Sequence, residues 1–242
     1  DLTELGNSAF YGCDQLKKVT IGASLTSLNT YAFDDCPKLK TVRVSKSNHV
    51  LYAKDNMLIN KKKKSVIWIA PAKKKVVIPN GTKVIGDYCF YGSKAESLVI
   101  PKSVKKIGKK ALEASDLEKI RLKKGNKVYA KDGSCIYKKK TKELVVVTAS
   151  KGGQVVKISP KVKKITRDAM TAGDNFIVND GSSLDYVVLP ASTILCDSWY
   201  QFYKAGYVTC DVVFRGKTLP KYSSGAQNIF PLFVLITFQK EW

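Results

Sequence analysis

Apolar positions return along this chain at a fixed interval. Residues 77–98, VIPNGTKVIGDYCFYGSKAESL, are followed by residues 99–120, VIPKSVKKIGKKALEASDLEKI. Ile78-Pro79 returns as Ile100-Pro101, Ile85-Gly86 as Ile107-Gly108, and Cys89-Phe90 as Ala111-Leu112, all at an offset of 22. Self-similarity at this period predicts a solenoid, in which one unit cannot bury its own apolar side and needs stacked neighbours. The short β-branched runs predict parallel strands stacked one per repeat, and the Ala-Phe positions a tight helical turn that plugs an aromatic into the core.

The pattern extends in both directions. Ala9-Phe10, Cys13, Leu16, Val19 and Ile21 map onto Ala32-Phe33, Cys36, Leu39, Val42 and Val44 at an offset of 23. From Ser45 it breaks. Tyr52-Ala53-Lys54-Asp55-Asn56 recurs as Tyr129-Ala130-Lys131-Asp132-Gly133, so the interruption itself repeats, here at an offset of 77. Asp-Asn and Asp-Gly between extended runs predict tight turns, and each interruption is expected to be a β-hairpin or small meander. A third cycle keeps Ile158, Pro160, Val162, Ile165 and Ala169-Met170, then Val187, Leu189 and Pro190. The expected organisation is a single domain over 1–242: repeats in 1–45, a hairpin insertion in 46–74, repeats in 75–124, a second insertion in 125–153, repeats in 154–195, and a C-terminal cap in 196–242. Within the cap, residues 196–210 could form a helix carrying aromatics, and 211–238 reads as strand, loop and strand. Asp1 falls inside a repeat, which suggests a chain cut from something longer.

Composition changes this picture in one respect. The formal charge is +22, and nearly all of it is lysine, with arginine only at 43, 121, 167 and 215. Nucleic-acid readers lean on arginine for bidentate contacts, so the balance favours a solvated basic surface over a nucleic-acid partner. No apolar run approaches the ~18 residues of a membrane span.

The recurring pieces IPKSVKKIGKKAL, AFYGC and AFDDC, and the YAKDG hairpin with its following CIYKKKTKEL, resemble the BspA-like leucine-rich repeat family. The resemblance covers residues 2 to 238. The sequence departs from the family's pattern where Cys89 and Leu112 alter the Ala-Phe pair and where Ser115 replaces the usual Cys. The resemblance implies a leucine-rich repeat solenoid. It also implies secreted or cell-surface bacterial proteins with roles in adhesion and protein binding. It implies no cofactor and no shared catalytic residue.

Enzymatic chemistry finds little support in the residues themselves. The single histidine, His49, sits at an insertion edge and reads as an exposed polar residue, and Gly-x-Ser-x-Gly and His-Glu-x-x-His are absent. Glu113, Asp116 and Glu118 read as local partners for lysine rather than a catalytic carboxylate pair. Of the six cysteines, Cys13, Cys36 and Cys89 fall on or near core columns, where a thiol behaves as a small hydrophobe, and Cys135 lies in the second hairpin. Cys196 and Cys210 bracket an aromatic segment and are the candidate bridge. Zinc is disfavoured because no Cys-x-x-Cys pair exists.

The candidate site is the strand face. Alternation directs Leu98 and Ile100 inward and Ser97 and Val99 outward. Applied to every strand, it gives an outward set of Lys18, Thr20, Thr41, Arg43, Lys75, Val77, Ser97, Val99, Lys119, Arg121, Lys157, Tyr186 and Val188. The binding candidates are Arg43, Lys75, Val77, Ser97, Val99, Lys119, Arg121, Lys157 and Tyr186, with the two valines as an apolar centre and Arg43 and Arg121 on either side of it. The primary reading is a non-catalytic extracellular module that binds a protein ligand. The alternatives are a lectin-like module for anionic glycans using lysine columns such as Lys105, Lys106, Lys163 and Lys164, and a structural surface spacer.

Overall fold

The computed structural model describes residues 1–112, 117–148, 155–165, 170–172, 186–190, 195–196, 211–214 and 236–238. The chain divides into two compact units, Asp1–Asn126 and Lys127–Trp242. No helix occurs among the described residues; all regular structure there is short strand. It follows that no helix among them is long and apolar enough to cross a membrane.

The first unit holds β1 (Glu4–Leu5), β2 (Lys18–Ile21), β3 (Ser27–Leu28), β4 (Thr41–Val44), β5 (Leu51–Lys54), β6 (Met57–Asn60), β7 (Ser65–Ile69), β8 (Lys75–Val77), β9 (Val84–Ile85), β10 (Ser97–Ile100), β11 (Lys106–Ile107) and β12 (Lys119–Leu122). The principal ladders are parallel and join successive repeats. Thr20 pairs with Arg43 between β2 and β4, and Val77, Val99 and Arg121 form one row across β8, β10 and β12. Along each strand the inward residues are the β-branched and leucine positions of the repeat: Val76, Leu98, Ile100 and Ile120 are all buried.

Each coil has a second short parallel ladder that the repeat pattern does not reveal as strand. β1 pairs with β3, and β7, β9 and β11 run side by side through Ser65, Val84 and Lys106. The Ile-Gly dipeptide of the repeat belongs here. A Cβ on Gly86 would stand 2.8 Å from the Val66 carbonyl oxygen, and one on Gly108 would collide with the Asp87 carboxylate and backbone. Close backbone approach therefore fixes glycine at both places. The third side of the coil is the Ala-Phe segment, which is a turn and not helical. The residue before the pair lies at positive φ in Ser8 (54°), Tyr88 (54°) and Lys110 (50°), and the backbone bonds across to the next coil through Phe10 N to Ala32 O (2.8 Å) and Phe90 N to Ala111 O (3.0 Å). A run of right-handed helix cannot contain those left-handed residues.

Phe33, Phe90 and Leu112 are buried, as their shared repeat position predicts. Phe10 is not: it is 41% exposed. Its ring stacks on Phe33 at 5.3 Å. Phe33 is sandwiched further by Trp68, at 5.2 Å between ring centroids.

Both insertions are three-stranded antiparallel meanders: β5–β6–β7 in the first unit, and β13 (Tyr129–Asp132), β14 (Cys135–Lys138) and β15 (Leu144–Thr148) in the second. Their equivalence differs from the expected offset of 77. Leu51 pairs with Asn60 and Tyr129 with Lys138, so Tyr129 is the structural equivalent of Leu51 and not of Tyr52. The shared Tyr-Ala-Lys-Asp string is thus out of structural register by one position. A slip of one exchanges the two faces of a strand. Tyr52 accordingly stands 36% exposed, whereas Tyr129 is buried. The tight turns move with it. Asp55 and Asn56 both take positive φ between the paired Lys54 and Met57, while the second turn is Gly133-Ser134 between Asp132 and Cys135.

The second unit continues with β16 (Val155–Lys157), β17 (Lys164–Ile165), β18 (Met170–Ala172), β19 (Tyr186–Leu189), β20 (Leu195–Cys196), β21 (Asp211–Phe214) and β22 (Ile236–Phe238). β16, β19, β21 and β22 form a parallel sheet, and β18 runs parallel to β15. Most of the expected cap, including the segment read as a helix and the Cys196–Cys210 pair as a bridge, lies outside the described residues, as do Glu113, Ser115 and Asp116.

A polar clamp ties the second meander to the repeat after it. Ser159 Oγ donates to Asp132 at 2.6 Å, Lys161 Nζ donates to the same carboxylate at 3.1 Å, and the Lys161 backbone N–H donates to Ser159 Oγ at 3.1 Å. The hydrogen bond from Ser159, then the one from Lys161, hold the Asp132 carboxyl below the ordinary carboxylate range. A folded pKa depressed in this way adds stability above the unfolded pKa, and that stability is lost as pH falls through the folded value. Asp132→Asn should therefore flatten the acid limb of a stability–pH curve and leave its shape near pH 7 to 8 unchanged. An acid limb identical to that of the parent chain, measured by thermal melts below pH 5, would remove Asp132 from the account.

Candidate functional site

The strand face of the first unit is built by β8, β10 and β12. Its outward residues form two rows: Lys75, Ser97 and Lys119, then Val77, Val99 and Arg121. Val77 and Val99 are thus direct cross-strand neighbours. β8 is an edge strand, so Val77 has a side-chain neighbour on one flank and is 52% exposed. Val99 lies between Val77 and Arg121 and is half-buried. Lys75, Lys119 and Arg121 are exposed and Ser97 half-buried. One ion pair, Lys74 to Glu96 at 2.8 Å, crosses between coils at the rim of this sheet. Its groups are well exposed, and such pairs add little stability.

The rest of the predicted set is placed differently. Arg43 is exposed, but it belongs to the separate two-stranded sheet of β2 and β4, opposite Thr20. The first meander follows β4 in the chain, and β8 hydrogen-bonds only to β10, so Arg43 does not share a ladder with Val77 as expected. Lys157 and Tyr186 belong to the second unit. Lys157 is exposed and pairs with Val188, while Tyr186 pairs with Val155 and Asp211. Val188, expected to face outward, is buried. Its strand is central, and Lys157 and Val213 flank it in the same row.

Two buried residues that the sequence alone does not single out fasten the starts of the meanders to the coils before them. Asn48 is fully buried at the start of the first meander. Its amide nitrogen donates to the carbonyls of Gly22 and Leu25, both at 2.8 Å, and its oxygen accepts from the N–H groups of Val50 (2.9 Å) and Leu51 (2.7 Å). Asn126 is its counterpart before the second meander. It donates to the carbonyls of Pro101 (3.4 Å) and Val104 (2.9 Å). The signal was an asparagine two positions before Val50 and again two positions before Val128. It shows only when the meanders are aligned in their structural register.

Among the described residues, no reactive group stands out. Burial pushes the Cys36, Cys89 and Cys135 thiols above their ordinary range, which keeps them as inert core thiols. Among the described residues, no group of three or more His, Cys, Asp or Glu side chains is arranged to hold a metal ion, and His49 is exposed.

The repeat geometry and its sequence agree with one family description, "BspA type Leucine rich repeat region", which matches residues 1–71 and 70–146. The chain belongs to the BspA-type leucine-rich repeat family. The repeat of this family is a non-catalytic scaffold whose recurring positions build a stacked core. No curated protein matches the sequence. Similar solved structures include a leucine-rich cell surface protein from Faecalibacterium prausnitzii, with 21% identity, a TM-score of 0.49 and coverage of 81% of this chain and 47% of that one. The pneumococcal vaccine antigen PcpA has 20% identity, a TM-score of 0.42 and coverage of 81% and 38%. A leucine-rich repeat protein from Eubacterium ventriosum has 21% identity, a TM-score of 0.48 and coverage of 89% and 58%. This BspA-type chain spans about half the length of these proteins.

Proposed function

We propose that this BspA-type chain is a binding module of the bacterial cell surface, and that the β8–β10–β12 face engages a protein partner. The observation that carries the reading is the exposed Val77, beside Val99, with Lys75, Lys119 and Arg121 around the pair. An apolar centre with a charged rim is the anatomy of a recognition patch, and arginine is favoured there over lysine. The positive rim selects a partner whose contact surface is apolar at its centre and acidic around it. Family membership supports an extracellular setting.

The experiment is a binding screen of the purified chain against immobilised matrix and serum proteins, repeated with variants. Val77→Asp with Val99→Asp should reduce capture by about 100-fold, the scale of a lost interface centre, while circular dichroism stays that of the parent. Lys163→Gln with Lys164→Gln should leave protein capture unchanged. The reverse pattern would place the contact on the lysine columns and end the strand-face reading.

A further inference from the structure

The side of the coil that carries β7, β9 and β11 is a different surface, and its chemistry differs too. The Lys83 N–H donates to the Lys64 carbonyl at 2.8 Å, and the Lys105 N–H donates to the Lys83 carbonyl at 2.8 Å. Lys64, Lys83 and Lys105 are therefore successive rungs of one backbone ladder, spaced about 4.8 Å apart as parallel strands are. Lys62 and Lys63 in the preceding turn and Lys106 beside the last rung add to the row. Five of the six are exposed, and Lys83 is half-buried. In segments 61–66, 83–86 and 105–108 every charged residue is a lysine. The next acid along the chain after Gly86, Asp87, accepts from the Lys109 N–H at 2.8 Å.

The second unit carries a shorter, two-rung version of the device, in which one acid, Glu143, forms a backbone bridge to Lys164 and the next rung is Leu195. Lys142 is the counterpart of Lys64 in the structural register of the meanders, and both take left-handed backbone, at φ 58° and 49°. The Lys163 and Lys164 N–H groups both donate to the Lys142 carbonyl, at 2.8 and 3.2 Å. The exit from each meander thus starts a lysine ladder on the coil that follows.

We infer that these ladders are binding sites for a linear sulfated polysaccharide, separate from the valine-centred face. A row of like charges repels itself, and a polyanion laid along it removes that repulsion and releases its own counterions. Lysine presents point charges without the planar fork of arginine. That suits sulfate groups carried at intervals on a chain, where no base edge has to be read. The six lysines are not interleaved with aromatic residues, so the stacking platform of a single-stranded nucleic-acid site is missing.

The test uses the full chain and immobilised heparin as the probe. Binding should fall steeply with added salt. Replacing Lys83, Lys105, Lys106, Lys142, Lys163 and Lys164 by Gln should weaken it by about 100-fold or more at low ionic strength. Replacing Lys17, Lys40, Lys46, Lys54, Lys102 and Lys124 by Gln removes the same charge from other exposed positions and should change binding less than about three-fold. Equal losses in the two variants would reduce the effect to net charge and overturn the proposal. So would undiminished binding to chemically desulfated heparin, or a single-stranded oligonucleotide bound as tightly as heparin through the same six lysines. Val77→Asp with Val99→Asp should leave heparin binding intact, so failure of either site is read independently of the other. Thermal melts of both lysine variants confirm that each is folded.

Discussion

Phe33→Ala should lower the unfolding free energy by about 3–5 kcal/mol, the range for removing a fully buried aromatic from a packed core. Phe33 is 2% exposed. It is the ring through which two parts of the first unit meet, with Phe10 stacked on it at 5.3 Å and Trp68 against it at 5.2 Å. Its loss leaves a cavity bounded by the first coil on one side and the first meander on the other. Phe10→Ala makes the internal comparison. That ring is 41% exposed and should cost about 1 kcal/mol, near the centre of the distribution for single substitutions. Urea unfolding followed by circular dichroism measures both. Equal costs at the two positions would mean that the column is not graded by burial as described.

Asn48→Ala should be comparably severe, for a different reason. The substitution strands two carbonyls and two N–H groups at a fully buried position, each with a desolvation cost of about 1–3 kcal/mol, partly relieved if water enters. We expect a net loss of about 3–5 kcal/mol. Asn48→Asp is the sharper variant. It keeps the acceptor that serves Val50 and Leu51, removes both donors to Gly22 and Leu25, and places a carboxylate against two carbonyl oxygens. It should be at least as damaging as Ala at pH 7 and should recover in part under acid conditions, where a protonated carboxyl regains one donor. Limited proteolysis should cut the first meander sooner in both variants. A meander as resistant as the parent's would show that Asn48 fills space and does not fasten it.

The repeat and its inward positions were legible because both report on the same requirement. A stacked coil must bury Val76, Leu98, Ile100 and Ile120 in register, and that imposes a spacing that survives changes in residue identity. The two meanders were legible from their turn chemistry. Their mutual register was not. The string Tyr-Ala-Lys-Asp is identical at 52–55 and 129–132, yet the strands pair one position away from that match. Identity across the string was outweighed by which side chains face the core, and only pairing partners reveal that. The turn beside the Ala-Phe pair was mistaken for a helical one because Ser8, Tyr88 and Lys110 give no sign in sequence of their left-handed backbone. The Val77–Val99 row followed from alternation and period together. Arg43 falls outside that row because β4 pairs with β2 while β8 pairs with β10, and the first meander intervenes between β4 and β8 in the chain.

That interruption also bears on how the chain closes on itself. Tyr31 packs against Tyr88 at 5.6 Å and Tyr91 at 4.7 Å, so coils on opposite sides of the first meander in sequence meet as neighbours in space. In an uninterrupted stretch the corresponding loop is a single repeat, as between the paired Leu98 and Ile120. Loop-closure entropy grows only with the logarithm of length, so spanning the meander costs about 0.8 kcal/mol more than a plain repeat does. A well-packed hairpin recovers more than that from its own buried residues. The turn at Asp55-Asn56 inside the first meander, away from the buried Asn48 that fastens its start, is thus a place where chain can be gained or lost at small thermodynamic expense, and loop grafting or length variation in this scaffold should be tolerated there before anywhere along the ladders.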